Sequence, residues 1–193
     1  MKMKYFFLPL FISLTIFSFG QKKNTNYKFH SVNNISLLNG DNEISAGLQS
    51  INGFQNGNWF TGVGVGLDYY IYRSVPLFAD VRYEFGKTKN KFFAYADGGI
   101  NFDWVKEYYY DGPIFIWEGS NNSGEFHNGV YTDAGFGYLV ANKKGGGLVL
   151  SLGHSHKSLK KTISYPDWRT QQTTTDIYRY NLNRIVVKVG WKF

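Results

Sequence analysis

Asn183-Arg-Ile-Val-Val-Lys-Val-Gly-Trp-Lys-Phe193 closes the chain. Counted back from Phe193 in steps of two, Trp191, Val189, Val187 and Ile185 share one face, while Lys192, Gly190, Lys188, Val186 and Arg184 share the other. The segment therefore reads as one extended strand with an apolar side and a cationic side. A sheet in water can use such alternation, but it rarely finishes on two bulky aromatics with cations directly behind them. The pattern calls for an apolar medium on one side and polar groups on the other.

The opposite end of the sequence points to export. Met1-Lys-Met-Lys4 supplies a positive start, Tyr5 to Phe17 an apolar run, and Ser18-Phe19-Gly20 a small-x-small site before Gln21. Together these read as a cleaved signal peptide over residues 1–20, with a retained signal anchor as the alternative. Beyond the leader no run approaches the roughly 18 apolar residues a membrane helix needs, so any span in residues 21–193 has to be β. The absence of cysteine leaves neither a disulfide framework nor a lipoprotein anchor to consider.

Composition narrows this further. Removing Lys2 and Lys4 lowers the formal charge from +7 to +5, and the remaining lysines fall largely in turns such as Gly86-Lys-Thr-Lys-Asn-Lys91. The basic balance is thus weak grounds for a nucleic-acid partner, and none is expected. Aromatics at 19 % and 22 glycines against four prolines suit an all-β barrel, with rings at interfaces and glycine in turns and in a crowded interior. About 173 residues form a single domain.

Eight strand-like segments can be marked: Tyr27 to Leu38, Glu43 to Phe54, Trp59 to Tyr72, Val75 to Phe85, Lys91 to Trp104, Gly129 to Val140, Gly147 to Ser158 and Ile177 to Phe193. The second, fourth and sixth connections are short. The fifth, 105–128, and the seventh, 159–176, are long, and both fall on the odd-numbered side, as expected of a barrel with short inner turns and long outer loops. Aromatics gather near strand ends. Trp59, Phe85, Phe92, Tyr138 and Trp191 mark one interface, and Tyr69, Tyr70, Phe102 and Trp104 the other. The expected fold is a closed antiparallel up-and-down transmembrane β-barrel of about eight strands. A secreted soluble barrel or sandwich is the alternative.

Parity assigns the interior. In Val75 to Phe85 the residues Phe78, Asp80, Arg82 and Glu84 share the face opposite Leu77, Ala79, Val81 and Tyr83. The same rule turns Asp68, Asp97, Asp133, Arg184 and Lys188 inward, with Glu43, Asp103 and Lys157 as further candidates. An eight-stranded interior is about wide enough to be filled by side chains, so these groups are expected to pair as a polar core. A narrow solute channel is the less favoured use. Gly62, Gly64 and Gly66 would make room for large neighbours across the barrel.

The leader, the period-two strands, the long odd connections and the Val189-Gly-Trp-Lys-Phe193 terminus together resemble small outer-membrane barrels of the OmpA-membrane-domain or OmpX type, and the leader junction resembles those common in Bacteroidetes. The resemblance covers nearly all of residues 21–193. It implies residence in the outer membrane, contact with its lipids, a monomeric state, and recognition of the last strand by the barrel-assembly machinery through Phe193, Trp191 and Gly190, supported by Val189 and Val187. It carries no catalytic motif, cofactor or metal.

Two further clusters merit attention. His154, Ser155, His156 and Ser158 include a His-x-Ser pair on one strand face that resembles lipid A deacylases, with His156 as base and Ser158 as nucleophile; Asp167 and Asp176 are the only acids at hand to orient the histidine. The two histidines are too few for a specific metal site. Polar side chains at a membrane boundary explain the cluster more simply, and the chain is expected not to be an enzyme. The other cluster, Tyr109, Tyr110, Phe115 and Trp117 in the first long loop and Trp168 in the second, is unusually aromatic for exposed loops and is the expected contact surface. The extracellular partner is unspecified.

Overall fold

The computed structural model describes residues 27–40, 43–86, 88–104, 125–142, 146–166 and 172–193. Residues 1–20, expected to be a leader, and the expected contact residues Tyr109, Tyr110, Phe115, Trp117 and Trp168 lie outside them. Every regular element among the described residues is a strand: β1 (Tyr27–Gly40), β2 (Ile44–Asn56), β3 (Trp59–Asp68), β4 (Ser74–Phe85), β5 (Lys91–Asp103), β6 (Glu125–His127), β7 (Gly129–Ala141), β8 (Gly147–Pro166) and β9 (Thr173–Lys192). All pairings are antiparallel, and β9 joins β8 to β1, closing an eight-stranded up-and-down ring. The ninth strand, β6, continues β7 past a bulge. His127 opposes Lys160 and Tyr131 opposes Lys157, so four residue steps on one side match three on the other.

The ladder registers fix the barrel's shape. Starting at His30 and stepping across partners leads through Gly53, Gly62, Asp80, Asp97, Asp133, Ser155 and Arg184 back to β1 at Gly40, ten residues above the start. Eight strands with that stagger tilt by about 40° and enclose a backbone radius of about 8 Å. Side chains alone can fill such an interior.

Alternation then sorts the residues with the usual order reversed. Ile35, Val63, Phe136 and Leu152 are each about 60–70 % exposed on the outer wall. Asp80, Asp97, Asp133, Lys157, Arg184 and Lys188 are buried inside. From Trp59 at the start of β3 to Tyr69 just past its end the outward run covers ten residue steps, about 25 Å along the axis at that tilt. Rings line the rim nearest both ends of the described chain. Trp59 and Tyr83 lie 4.8 Å apart, Phe85 and Phe92 6.1 Å, and Phe92 and Tyr138 4.7 Å, forming a band across β3, β4, β5 and β7. Inside, a Cβ on Gly64 would strike the Phe78 ring, so the absent side chain is what admits the phenyl group.

Several boundaries differ from the sequence reading. The segment 159–176, expected to be a loop, is largely strand: β8 runs on to Pro166, and β9 begins at Thr173 in unbroken register, Pro166 opposite Thr173. Cross-strand hydrogen bonds need no apolar medium, so a hairpin continues after the alternation that betrays it has faded. Likewise Glu125–His127 is paired, and β3 stops at Asp68, leaving residues 69–73 as the turn into β4. Tyr70, expected in the outer ring of aromatics, points inward and is buried. Glu43 is exposed ahead of β2, where its Oε1 accepts the Ile71 amide at 2.8 Å. That bond holds Ile71 at a φ of 55°, a region a β-branched residue seldom enters.

Candidate functional site

The lumen contains three layers of charge. At the end away from Tyr27 and Phe193, the turn 69–73 folds over the barrel and presents oxygen atoms to Lys157. Its ammonium donates to Asp68 Oδ1 at 2.9 Å, to the carbonyls of Tyr70 and Tyr72 at 2.8 Å each, and to Ser74 Oγ at 3.2 Å. The other Asp68 oxygen accepts from Arg184 Nη1, and Arg184 Nη2 donates to Ser155 Oγ at 2.7 Å. Arg184 also lies beneath the Tyr70 ring, 5.4 Å from its centre. Above this layer Tyr72 packs on Phe126 and Tyr180 at 5.1 and 4.9 Å, on the inner side of the β6, β8 and β9 extension.

The middle layer contains three carboxylates on neighbouring strands, Asp80 opposite Asp97 and Asp97 opposite Asp133. Arg82 grips both oxygens of Asp80 through Nε at 3.0 and 2.9 Å, with Nη2 at 2.8 Å, while its guanidinium lies within 6 Å of the Phe60, Phe93 and Tyr95 ring centres. Lys188 Nζ forms ion pairs with Asp133 at 2.7 Å and Asp97 at 3.6 Å. Tyr95 and Tyr131 donate their hydroxyls to Asp133 at 2.9 and 3.2 Å, and Gln49 donates to Tyr131 at 2.7 Å. Both Asp97 oxygens are buried without a hydrogen-bond donor, and Lys188 at 3.6 Å is the cation that faces them.

Near Tyr27 and Phe193, the ends of the described chain, Glu84 gathers three donors: Lys192 at 2.6 Å, Gln55 at 2.8 Å and Lys91 at 3.2 Å. A cavity of about 10 Å³ beside it, bounded by Phe60, Phe93 and Val149, has room for about one water molecule. The predicted residues Asp68, Asp80, Arg82, Glu84, Asp97, Asp133, Arg184 and Lys188 thus all face the lumen, divided among three clusters. Lys192, Ser155, Tyr95, Tyr131 and Gln55 complete those clusters. Parity alone would have included Lys192 and Ser155, whereas Gln55 reads as a turn residue because it precedes Asn56-Gly57.

On the outer wall the histidines and serine are not assembled as a reacting group. His156 Nδ1 meets Asn183 Oδ1 at 2.9 Å, and Ser158 Oγ accepts the Val130 amide at 2.8 Å, where the bulge frees that N–H from the ladder. His154 faces outward and is exposed, while Ser155 faces inward. Among the described residues no group of three histidine, aspartate or glutamate side chains converges as a metal site.

The closing strand meets β1 along its whole lower half. Val187, Val189 and Trp191 point outward; Gly190 opposes Asn34, whose side chain occupies the space a Cβ would need. Phe193 is anchored by its backbone: its N–H donates to Ser31 O at 2.9 Å, and its O meets His30 Nδ1 at 2.7 Å.

No protein-family model matches the chain, and no curated protein matches it either. Among solved structures it is similar to Neisserial surface protein A (NspA), at 12 % identity over 89 % of this chain and 98 % of that one with a TM-score of 0.44, and to outer membrane protein AlkL in DMPC lipid bilayers, at 9 % identity over 90 % and 92 % with a TM-score of 0.44.

Proposed function

We propose that the chain is an integral protein of the bacterial outer membrane, a non-enzymatic barrel serving envelope structure or surface contact through the outer segments 105–128 and 159–176. One observation carries this reading. A closed wall is apolar outside across about 25 Å and charged inside, which is what lipid around a barrel requires. Closure also gives every spanning strand a hydrogen-bonded neighbour on both sides, leaving no open edge to an apolar medium. Both ends of the described chain then lie on the periplasmic side, and the β8–β9 hairpin stands outside.

A lipid-modifying hydrolase gains no support from the geometry, because His156 and Ser158 are each engaged with another partner. A solute channel fares no better with three packed charge layers in the lumen. The test is fractionation of expressing cells. The protein should enter the outer-membrane fraction, and the unboiled form should migrate differently from the boiled one on a gel. Recovery from the periplasm or medium would overturn the assignment.

A further inference from the structure

The extension above the barrel carries a row of basic side chains that the lumen does not use. On the outward face His127 of β6 is paired with Lys160 of β8, and Lys160 with Arg179 of β9. Every ion pair among the described residues joins lumenal groups, and none includes Lys160 or Arg179. Glu125, on the same face at the start of β6, makes no ion pair either. Two like charges directly opposite one another on a sheet repel, and an anion between them relieves that repulsion.

Height decides which anion. Below Arg179 the nearest apolar outward residue of β9 is Ile185, with Asn183 and Asn181 between them, while Ile177 is outward and exposed beyond Arg179. Because the strands tilt, the row stands roughly 10 Å above the level of Tyr69 and Phe102 on the far wall. Long lysine and arginine side chains can bend back over that distance, with their stems on the wall and their charges at the depth of lipid headgroups. The same face continues downward as the apolar wall of Leu152, Val187 and Phe136, where acyl chains would lie. A free anion would have no use for that continuity.

We propose that Lys160 and Arg179, beside His127 whose Nε2 meets Thr162 Oγ1 at 3.1 Å, bind the phosphate of an outer-leaflet lipid whose chains lie against the barrel wall below. This rests on the outer-membrane reading, with the hairpin outside. The row acts as an electrostatic clamp that fixes how deeply the barrel sits and keeps one anionic lipid against β8 and β9.

The test compares three refolded barrels: wild type, Lys160→Gln/Arg179→Gln, and Lys28→Gln/Lys89→Gln, which removes the same charge from exposed positions near the opposite rim. Fluorescent lipopolysaccharide is titrated into each in zwitterionic micelles and followed by anisotropy. At about 1 kcal/mol per basic residue, the first double variant should bind about 30-fold more weakly and the second like wild type. Dephosphorylated lipopolysaccharide should bind wild type as weakly as intact lipid binds the first variant. A loss below about threefold in the first variant, an equal loss in both variants, or undiminished binding of the dephosphorylated lipid overturns the proposal. Heat-modifiable mobility of all three barrels, together with fractionation of wild-type cells, reports folding and location separately. A lost lipid site is thereby distinguished from a protein that never occupies the membrane.

Discussion

Lys157 has no solvent near its ammonium, so the four oxygens around it must replace a hydration shell. Two of these are main-chain carbonyls of the turn that covers the lumen. The side chain thus both neutralises Asp68 and pins residues 69–73 in place. Lys157→Met removes the charge at nearly constant volume, leaves those acceptors unsatisfied and should cost about 3 kcal/mol, the scale of breaking a buried pair. Lys157→Arg should also destabilise, because a planar fork cannot aim at four oxygens surrounding one point. Urea denaturation of the barrel refolded in micelles would measure both. If Lys157→Met were as stable as Lys89→Met, which alters an exposed turn, the cage would contribute nothing to holding the fold.

At the scale of elements, the closing strand raises the question whether Phe193 is a signal to the assembly machinery or a structural clasp. Its backbone bonds to Ser31 and the His30 contact survive any side-chain change, since both use main-chain atoms of residue 193. Phe193→Ala should therefore refold in micelles with a loss of about 1 kcal/mol, as the ring is 66 % exposed on the wall and surrenders only part of its burial. In cells the same variant should accumulate outside the outer membrane by several-fold if the ring is read during assembly. Equal defects in both settings would make Phe193 a clasp alone. How much of the barrel was legible in the sequence follows the same physics. Strand parity could be read from Trp59 to Asp68 and from Val75 to Phe85 because lipid outside and charge inside force a binary pattern. That force ends at the membrane boundary, so the hairpin beyond Ser158 left no alternation to find and looked like a loop. Tyr70 was misplaced for a related reason. Its parity was inward, but a tyrosine near a strand end equally suits an interface, and only the turn that folds it over Arg184 separates the two.

For the whole molecule, the lumen is closed by three layers in series, joined only by packing such as the Phe60 ring between Arg82 and Lys192. The Lys157 cage, the carboxylate row with Arg82 and Lys188, and the Glu84 cluster share no ion pair. An ion entering from either rim would have to displace each set in turn within a backbone radius of about 8 Å. Opening one layer should therefore leave the path shut. Wild type, Lys157→Ala and Glu84→Ala should each give no steady conductance steps in planar bilayers, even though each variant removes the central charge of its own layer. Only combined truncation at both rims and in the middle row should produce a continuous water path. Stable conductance from Lys157→Ala alone would show that the turn 69–73 is the sole barrier and that the lower layers already admit water. The tyrosine turn would then act as a gate over a wet lumen, and the pairing of Asp97 and Asp133 with Lys188 would be the lining of a pore instead of a packed core.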